Sequence, residues 1–159
     1  MKKLFFSFTL FTALLMGCKS APAAAVAAAD SPSVFGEVVG KNWKLIEVHI
    51  NKNNSLNKYV ITREGMEEIF TLKFDEQNIA GVGAPNRYSA PYTIGEDSAI
   101  SIMTVRATLM ASIREPEQLR EHDYFNYVQN TYRWNLVDTN LELYSKTEDG
   151  SEIVLIFEI

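Results

Sequence analysis

An α+β fold built on an antiparallel sheet is what this sequence predicts, and three observations predict it. Several runs alternate with the two-residue period of half-buried strands, most plainly "LIEVHI" and "IFTLKF". Short stretches rich in Gly, Asn and Asp separate these runs, which places successive strands in meander order. A single segment, residues 115–132, breaks the rhythm and carries the marks of a helix.

In chain order, the first strand is expected in "NWKLIEVHI", where Ile46, Val48 and Ile50 alternate with Leu45, Glu47 and His49. "NKNNSLNKY" then reads as a solvated loop. In "EEIFTLKF", Ile69, Thr71 and Lys73 share one face while Phe70, Leu72 and Phe74 share the other. "DEQN" turns the chain, and the strand pattern resumes through "GVGAPNRYSAPY" to "YTI". After "GED" comes "AISIMTV", rich in β-branched residues.

Helix is expected over 115–132, because Pro116 is tolerated in a first turn and Glu115, Glu117, Glu121 and Asp123 suit the positive end of a helix dipole. Tyr124, Val128 and Tyr132 would share its buried face with Phe125 beside them, and Leu119 would lie off that stripe. Three strands follow, "RWNLVD", "NLELYSK" and "SEIVLIFEI", the last two joined by the hairpin signal Asp149-Gly150. Ile153 to Phe157 are apolar at every position, so this strand is expected to be buried on both faces.

The chain has 159 residues, enough for one domain with a single core. Its formal charge is -5, and removal of Lys2 and Lys3 with a leader would make it -7. A net acidic domain without a basic stripe works against its own field at nucleic acid and at an anionic membrane surface, so no nucleic acid is expected as partner. "MKKLFFSFTLFTALLMG" is a secretory leader: two lysines precede an apolar stretch too short for the roughly 20 residues of a membrane-spanning helix.

Leu15-Met16-Gly17-Cys18 closes this leader, an apolar residue three before the cysteine and a small one directly before it. The tetrad resembles the bacterial lipobox, which implies a signal peptide over 1–17, lipid on Cys18 and anchoring in the cell envelope. Lys19 rather than Asp at the next position implies the outer membrane more than the inner. Cys18 is the only cysteine, so no disulfide can form within the chain. Residues 18–39, Ala-, Ser- and Pro-rich to Phe35, read as the lipidated cysteine and a tether.

The domain over 40–159 resembles the META domain, also called HslJ-like. The residues that carry the likeness are Trp43-Lys44-Leu45; then Gly83, Asn86, Arg87, Tyr88, Ala90 and Tyr92; then Thr108, Met110, Ala111 and Ser112; and finally Leu141-Glu142-Leu143. Two departures stand out, since Ala84-Pro85 and Ser112 stand where the family pattern has cysteines. The resemblance implies a strongly curved antiparallel sheet forming a partly open barrel with one helix packed across it. It also implies a setting in envelope stress or virulence and supplies no catalytic residues.

"GVGAPNRYSAPY" is read as a structural corner. A phosphate cradle would open onto a helix N-terminus, whereas strands flank this stretch and its prolines remove backbone donors. Gly81 and Gly83 mark a bulge or close packing. Asn86, Arg87, Tyr88 and Tyr92 are the candidate interaction patch, with Tyr88 and Tyr92 alternatively packing on the core. His49 and His122 lack partners at metal spacing, and Glu64, Glu67 and Glu68 read as wet surface, so neither metal nor cofactor nor enzyme is expected. The leading expectation is a lipid-anchored, non-catalytic binding or interaction module that meets an envelope protein. The alternative is a carrier of an acyl chain or other apolar ligand inside the barrel.

Overall fold

The computed structural model describes residues 32–61, 68–111 and 115–159. The segments expected as signal peptide and tether, residues 1–31 with Cys18, together with Glu64, Glu67 and Ser112, lie outside the described residues. A one-turn helix α1 (Pro32–Phe35) precedes β1 (Trp43–Lys52), β2 (Ser55–Val60), β3 (Thr71–Phe74), β4 (Asn78–Gly83) and β5 (Asn86–Ile94). There follow β6 (Ile100–Ile102), β7 (Arg106–Ala107), the helix α2 (Glu121–Gln129), β8 (Thr131–Val137), β9 (Asn140–Lys146) and β10 (Glu152–Glu158).

The strands form one antiparallel sheet in the order β6-β5-β4-β3-β1-β10-β9-β8, with β2 added to β1 and β7 to β5. Twist carries the outermost strands β6 and β8 round toward each other. They meet at one bridge, Ala99 with Arg133, beside which the Trp134 N–H donates to the Ser98 carbonyl at 3.0 Å. The result is the expected curved sheet, nearly closed into a barrel with one unsealed seam and a helix packed against it.

Inward-facing side chains fill the barrel. Trp43, Phe74, Tyr124, Leu143, Leu155 and Phe157 are fully buried. Two aromatic groups occupy opposite ends of β4. At one end Phe35 packs edge-on against Phe74 and Trp134, with centroids 5.2 and 4.9 Å away, and Tyr92 completes the group. At the other, Tyr124 and Phe125 of α2 meet Phe70 and Tyr88.

Phe35 and Val38 are therefore core, and the Trp43 indole N–H donates to the Val38 carbonyl at 2.9 Å. The folded domain starts before residue 40, because Phe35 and Val38 supply apolar bulk to one mouth of the barrel.

Other expectations are corrected by particular contacts. "NKNNSLNKY" is a hairpin: Asn53 and Asn54 take φ of 51° and 61°, the left-handed geometry of a tight turn, and β2 pairs back on β1. The alternation of β1 slips at a bulge between Leu45 and Glu47, so Trp43, Leu45 and Val48 face the core, partly buried Ile50 packs against it, and Ile46 does not.

The helix is shorter than 115–132. Arg120 is extended, with ψ of 152°, and Pro116 sits in a separate turn whose carbonyl accepts from the Leu119 N–H at 3.3 Å. Leu119 is buried from that turn, and Tyr132 belongs to β8, where it is exposed. β10 alternates instead of being buried on both faces: Ile153, Leu155 and Phe157 point inward while Val154 and Ile156 are half-buried outside. Its central place between β1 and β9 sets Val154 beside His49 and Tyr144, whose flanking side chains give that partial cover.

Candidate functional site

The stretch from Gly81 to Tyr92 is the end of β4, a turn at Ala84-Pro85 joined by a cis peptide, and most of β5. The corner is thus a hairpin tip, in register Gly83 with Asn86 and Gly81 with Tyr88. Its glycines serve close packing. A Cβ on Gly81 would lie 2.0 Å from the Thr71 carbonyl oxygen, and one on Gly83 would lie 2.5 Å from the Phe125 ring. Absence of side chains at both positions lets the Tyr88 ring and the α2 aromatics settle against the strand.

Below the tip, the Tyr88 and Tyr124 hydroxyls and the Thr71 carbonyl oxygen form a triangle with sides of 2.9, 3.0 and 3.1 Å. Two hydroxyl protons serve three contacts, so the phenols share the carbonyl and each other. The Thr71 hydroxyl in turn accepts from the Val82 N–H at 3.1 Å. Burial pushes both phenols well above the usual tyrosine range, so they stay protonated donors at physiological pH.

Asn86 is 3% exposed and saturated with partners. Its Nδ2 donates to Glu121 Oε2 at 2.7 Å and to the Met110 carbonyl at 3.0 Å. Its Oδ1 accepts from Thr108 Oγ1 at 2.8 Å and from the Met110 N–H at 2.7 Å, while its backbone N–H donates to Glu121 Oε1 at 2.8 Å. One amide thereby clasps the start of α2 and the strand-like stretch through Met110 to the hairpin tip. The asparagine and threonine-methionine motifs, 22 and 24 residues apart, are two halves of this clasp. Glu121, which reads from sequence as a generic helix-start carboxylate, is its third member.

The four residues expected as one exposed patch are separated. Asn86 and Tyr88 point inward, and half-buried Tyr92 donates its hydroxyl to the Asp75 carbonyl at 2.6 Å, toward the other end of β5. Arg87 alone faces solvent. Pairing of β7 on β5 brings Arg106 opposite Ser89, next to Arg87 on the same side. A shallow groove of about 300 Å³ lies here, lined by Arg87, Tyr88, Ser89, Arg106, Ala107 and Thr108. Arg106 carries no sequence signal, since its strand is two residues long.

His49 Nε2 lies 2.7 Å from Glu47 Oε2 on the outside of β1, while His122 is exposed on α2 and Glu68 is exposed before β3. Among the described residues, no three His, Cys, Asp or Glu side chains are grouped to hold a metal ion. No described helix is long and apolar enough to cross a membrane.

A nearly closed antiparallel barrel with a helix clasped to one hairpin tip defines the class of protein to which this chain conforms. Its sequence matches the META domain over residues 36–156, and the chain belongs to that family. Among solved structures it is similar to a protein from Burkholderia xenovorans determined by NMR, at 17% identity and TM-score 0.59, covering 91% of this chain and 97% of the other. It is also similar to a DUF4847 family protein from Bacteroides vulgatus, at 10% identity and TM-score 0.51, covering 79% of this chain and 96% of the other. At these identities the likeness is one of fold. No curated protein matches the chain.

Proposed function

We propose that this chain is a lipid-anchored protein of the cell envelope whose META domain acts as a non-catalytic interaction module in envelope stress or virulence. The observation that carries the choice of module over carrier is the filled interior. Trp43, Phe70, Phe74, Tyr124 and Trp134 are at most 2% exposed and take the space an apolar cargo would need. Recognition then falls to the outer surface. The anchor rests on Leu15-Met16-Gly17-Cys18, since two or more acyl chains turn marginal membrane binding into stable anchoring.

Native and intact mass spectrometry of the full chain, purified from its host in detergent, tests both parts. The expected result is a chain beginning at an acylated Cys18 with no further bound molecule. An unprocessed, unacylated amino terminus overturns the anchor. A stoichiometric non-covalent apolar adduct that survives exchange into a second detergent overturns the module in favour of the carrier.

A further inference from the structure

Two arginines on one outer face stand apart from the carboxylates, which lie at the hairpin tip in Glu121, beside Lys73 in Asp75 and on the opposite half of the barrel. On the outer face of β3, β4, β5 and β7, strand register aligns Lys73, Ala80, Ser89 and Arg106 in one row. Arg87 stands in the next row, opposite Val82. The positions between the cations carry short side chains and no carboxylate, although the chain as a whole bears -5. Among the described residues neither arginine has an ion pair or a ring contact. Two cations on the opposite half are engaged: Lys52 with Asp149 at 2.6 Å, and Arg133 over the Tyr144 ring at 4.0 Å.

At the rim of this face Leu109 is 100% exposed and Met110 is 55% exposed. They are held there, because Asn86 grips the Met110 backbone through both its N–H and its carbonyl, at 2.7 and 3.0 Å. A fixed aliphatic knob beside uncompensated arginines is the composition that binds a phospholipid interface: apolar side chains enter the acyl boundary while cations meet phosphates.

We propose that the outer face of β3, β4, β5 and β7, with Leu109 and Met110 at its rim, docks on the anionic phospholipid headgroups of the membrane that holds the chain. This rests on the envelope reading above. The tether is long enough. The 14 residue steps from Cys18 to Pro32 reach at most about 50 Å. The chain enters the barrel at the Phe74 end of β4, and the six residues of that strand put the hairpin tip only about 20 Å further on. Glu47, Glu142 and Glu152 lie on the other half, so the same field that attracts this face turns the acidic one outward.

The test uses the full acylated chain in vesicles of phosphatidylcholine alone or with 30 mole percent phosphatidylglycerol. Leu109→Cys takes a solvatochromic dye, Cys18 being blocked by its lipid. The expected result is a blue shift in the anionic vesicles only, lost in 0.5 M salt. Each arginine near such a surface contributes about five-fold, so Arg87→Glu with Arg106→Glu should weaken docking at least ~25-fold while Lys58→Glu leaves it unchanged. Equal emission in both vesicles, or a double variant that docks as before, overturns the proposal. So does a blue shift without vesicles that grows with protein concentration, which would assign the face to a second copy. Intact mass of the same sample reads the acylation separately. If Cys18 is unmodified, the Cys18→Ser chain offered the same vesicles from solution still decides the surface.

Discussion

Phe35→Ala is the substitution that most directly probes how the domain is closed. The ring is 5% exposed and contacts Phe74, Tyr92 and Trp134 with centroids 4.9 to 5.8 Å away. Removing a buried phenyl group forfeits about 2–3 kcal/mol of transfer free energy, and three aromatic neighbours left facing a void add a cavity and contact loss of about 1–2 kcal/mol. The expected destabilisation is therefore about 3–5 kcal/mol, a large share of the roughly 5–15 kcal/mol of a typical domain. Urea unfolding of the full chain followed by tryptophan emission measures it, with Trp43 and Trp134 both inside the barrel. The melting temperature should fall by about 8–15 °C. A loss below ~1 kcal/mol with an unchanged urea slope would refute the reasoning, because Phe35 would then belong to the tether after all.

Asn86→Ala leaves Thr108, the Met110 N–H and Glu121 short of partners, and should cost about 2–4 kcal/mol; an unchanged urea midpoint, or an equally protected Met110 amide in hydrogen exchange, would count against the clasp. Gly83→Ala places a methyl 2.5 Å from the Phe125 ring and should cost about 1–3 kcal/mol. Combining it with Phe125→Leu should recover part of that loss, and strict additivity would show that the ring is not the obstacle. Asp149 is held well below the usual carboxylate range, first by the hydrogen bond from Lys52 and then by those from Thr147 and Ser151. Its contribution is present above the unfolded value of about 4 and is lost as pH falls toward the folded one. Asp149→Asn should accordingly flatten the fall in urea midpoint between about pH 4 and pH 2, and an unaltered acid slope would remove Asp149 from that account.

Legibility in the sequence followed periodicity and failed where contacts span distant segments. Phe70, Leu72 and Phe74 face the core as their alternation implies, and Leu141 and Leu143 do the same in β9. By contrast, β2 has no apolar period because Tyr59 alone of its residues packs on the core, and only Asn53-Asn54 could have signalled the turn before it. The start of α2 is set by a glutamate meeting an asparagine 35 residues away, which no window of local composition contains. Phe35 was hidden because it follows the Ser- and Pro-containing end of a low-complexity stretch whose alanine run stops at Ala29.

At the candidate site, sequence reading grouped Asn86, Arg87, Tyr88 and Tyr92 by proximity along one strand, whereas alternation turns Asn86 and Tyr88 inward and Arg87 out. The curved barrel itself was legible only through likeness to a family, since curvature and closure leave no mark on a two-residue period.

The first and last strands of the barrel pair with each other in the middle of the sheet, Leu45 opposite Phe157 and Ile50 opposite Ile153. Closure therefore waits for β10 to leave the ribosome, and contact order is high by construction. A chain cut before Glu152 would lack β10 entirely, leaving β1 and β9 as two raw, apolar edges open to any neighbouring strand. For this architecture a stop just ahead of β10 is as damaging as one in the centre of the sheet.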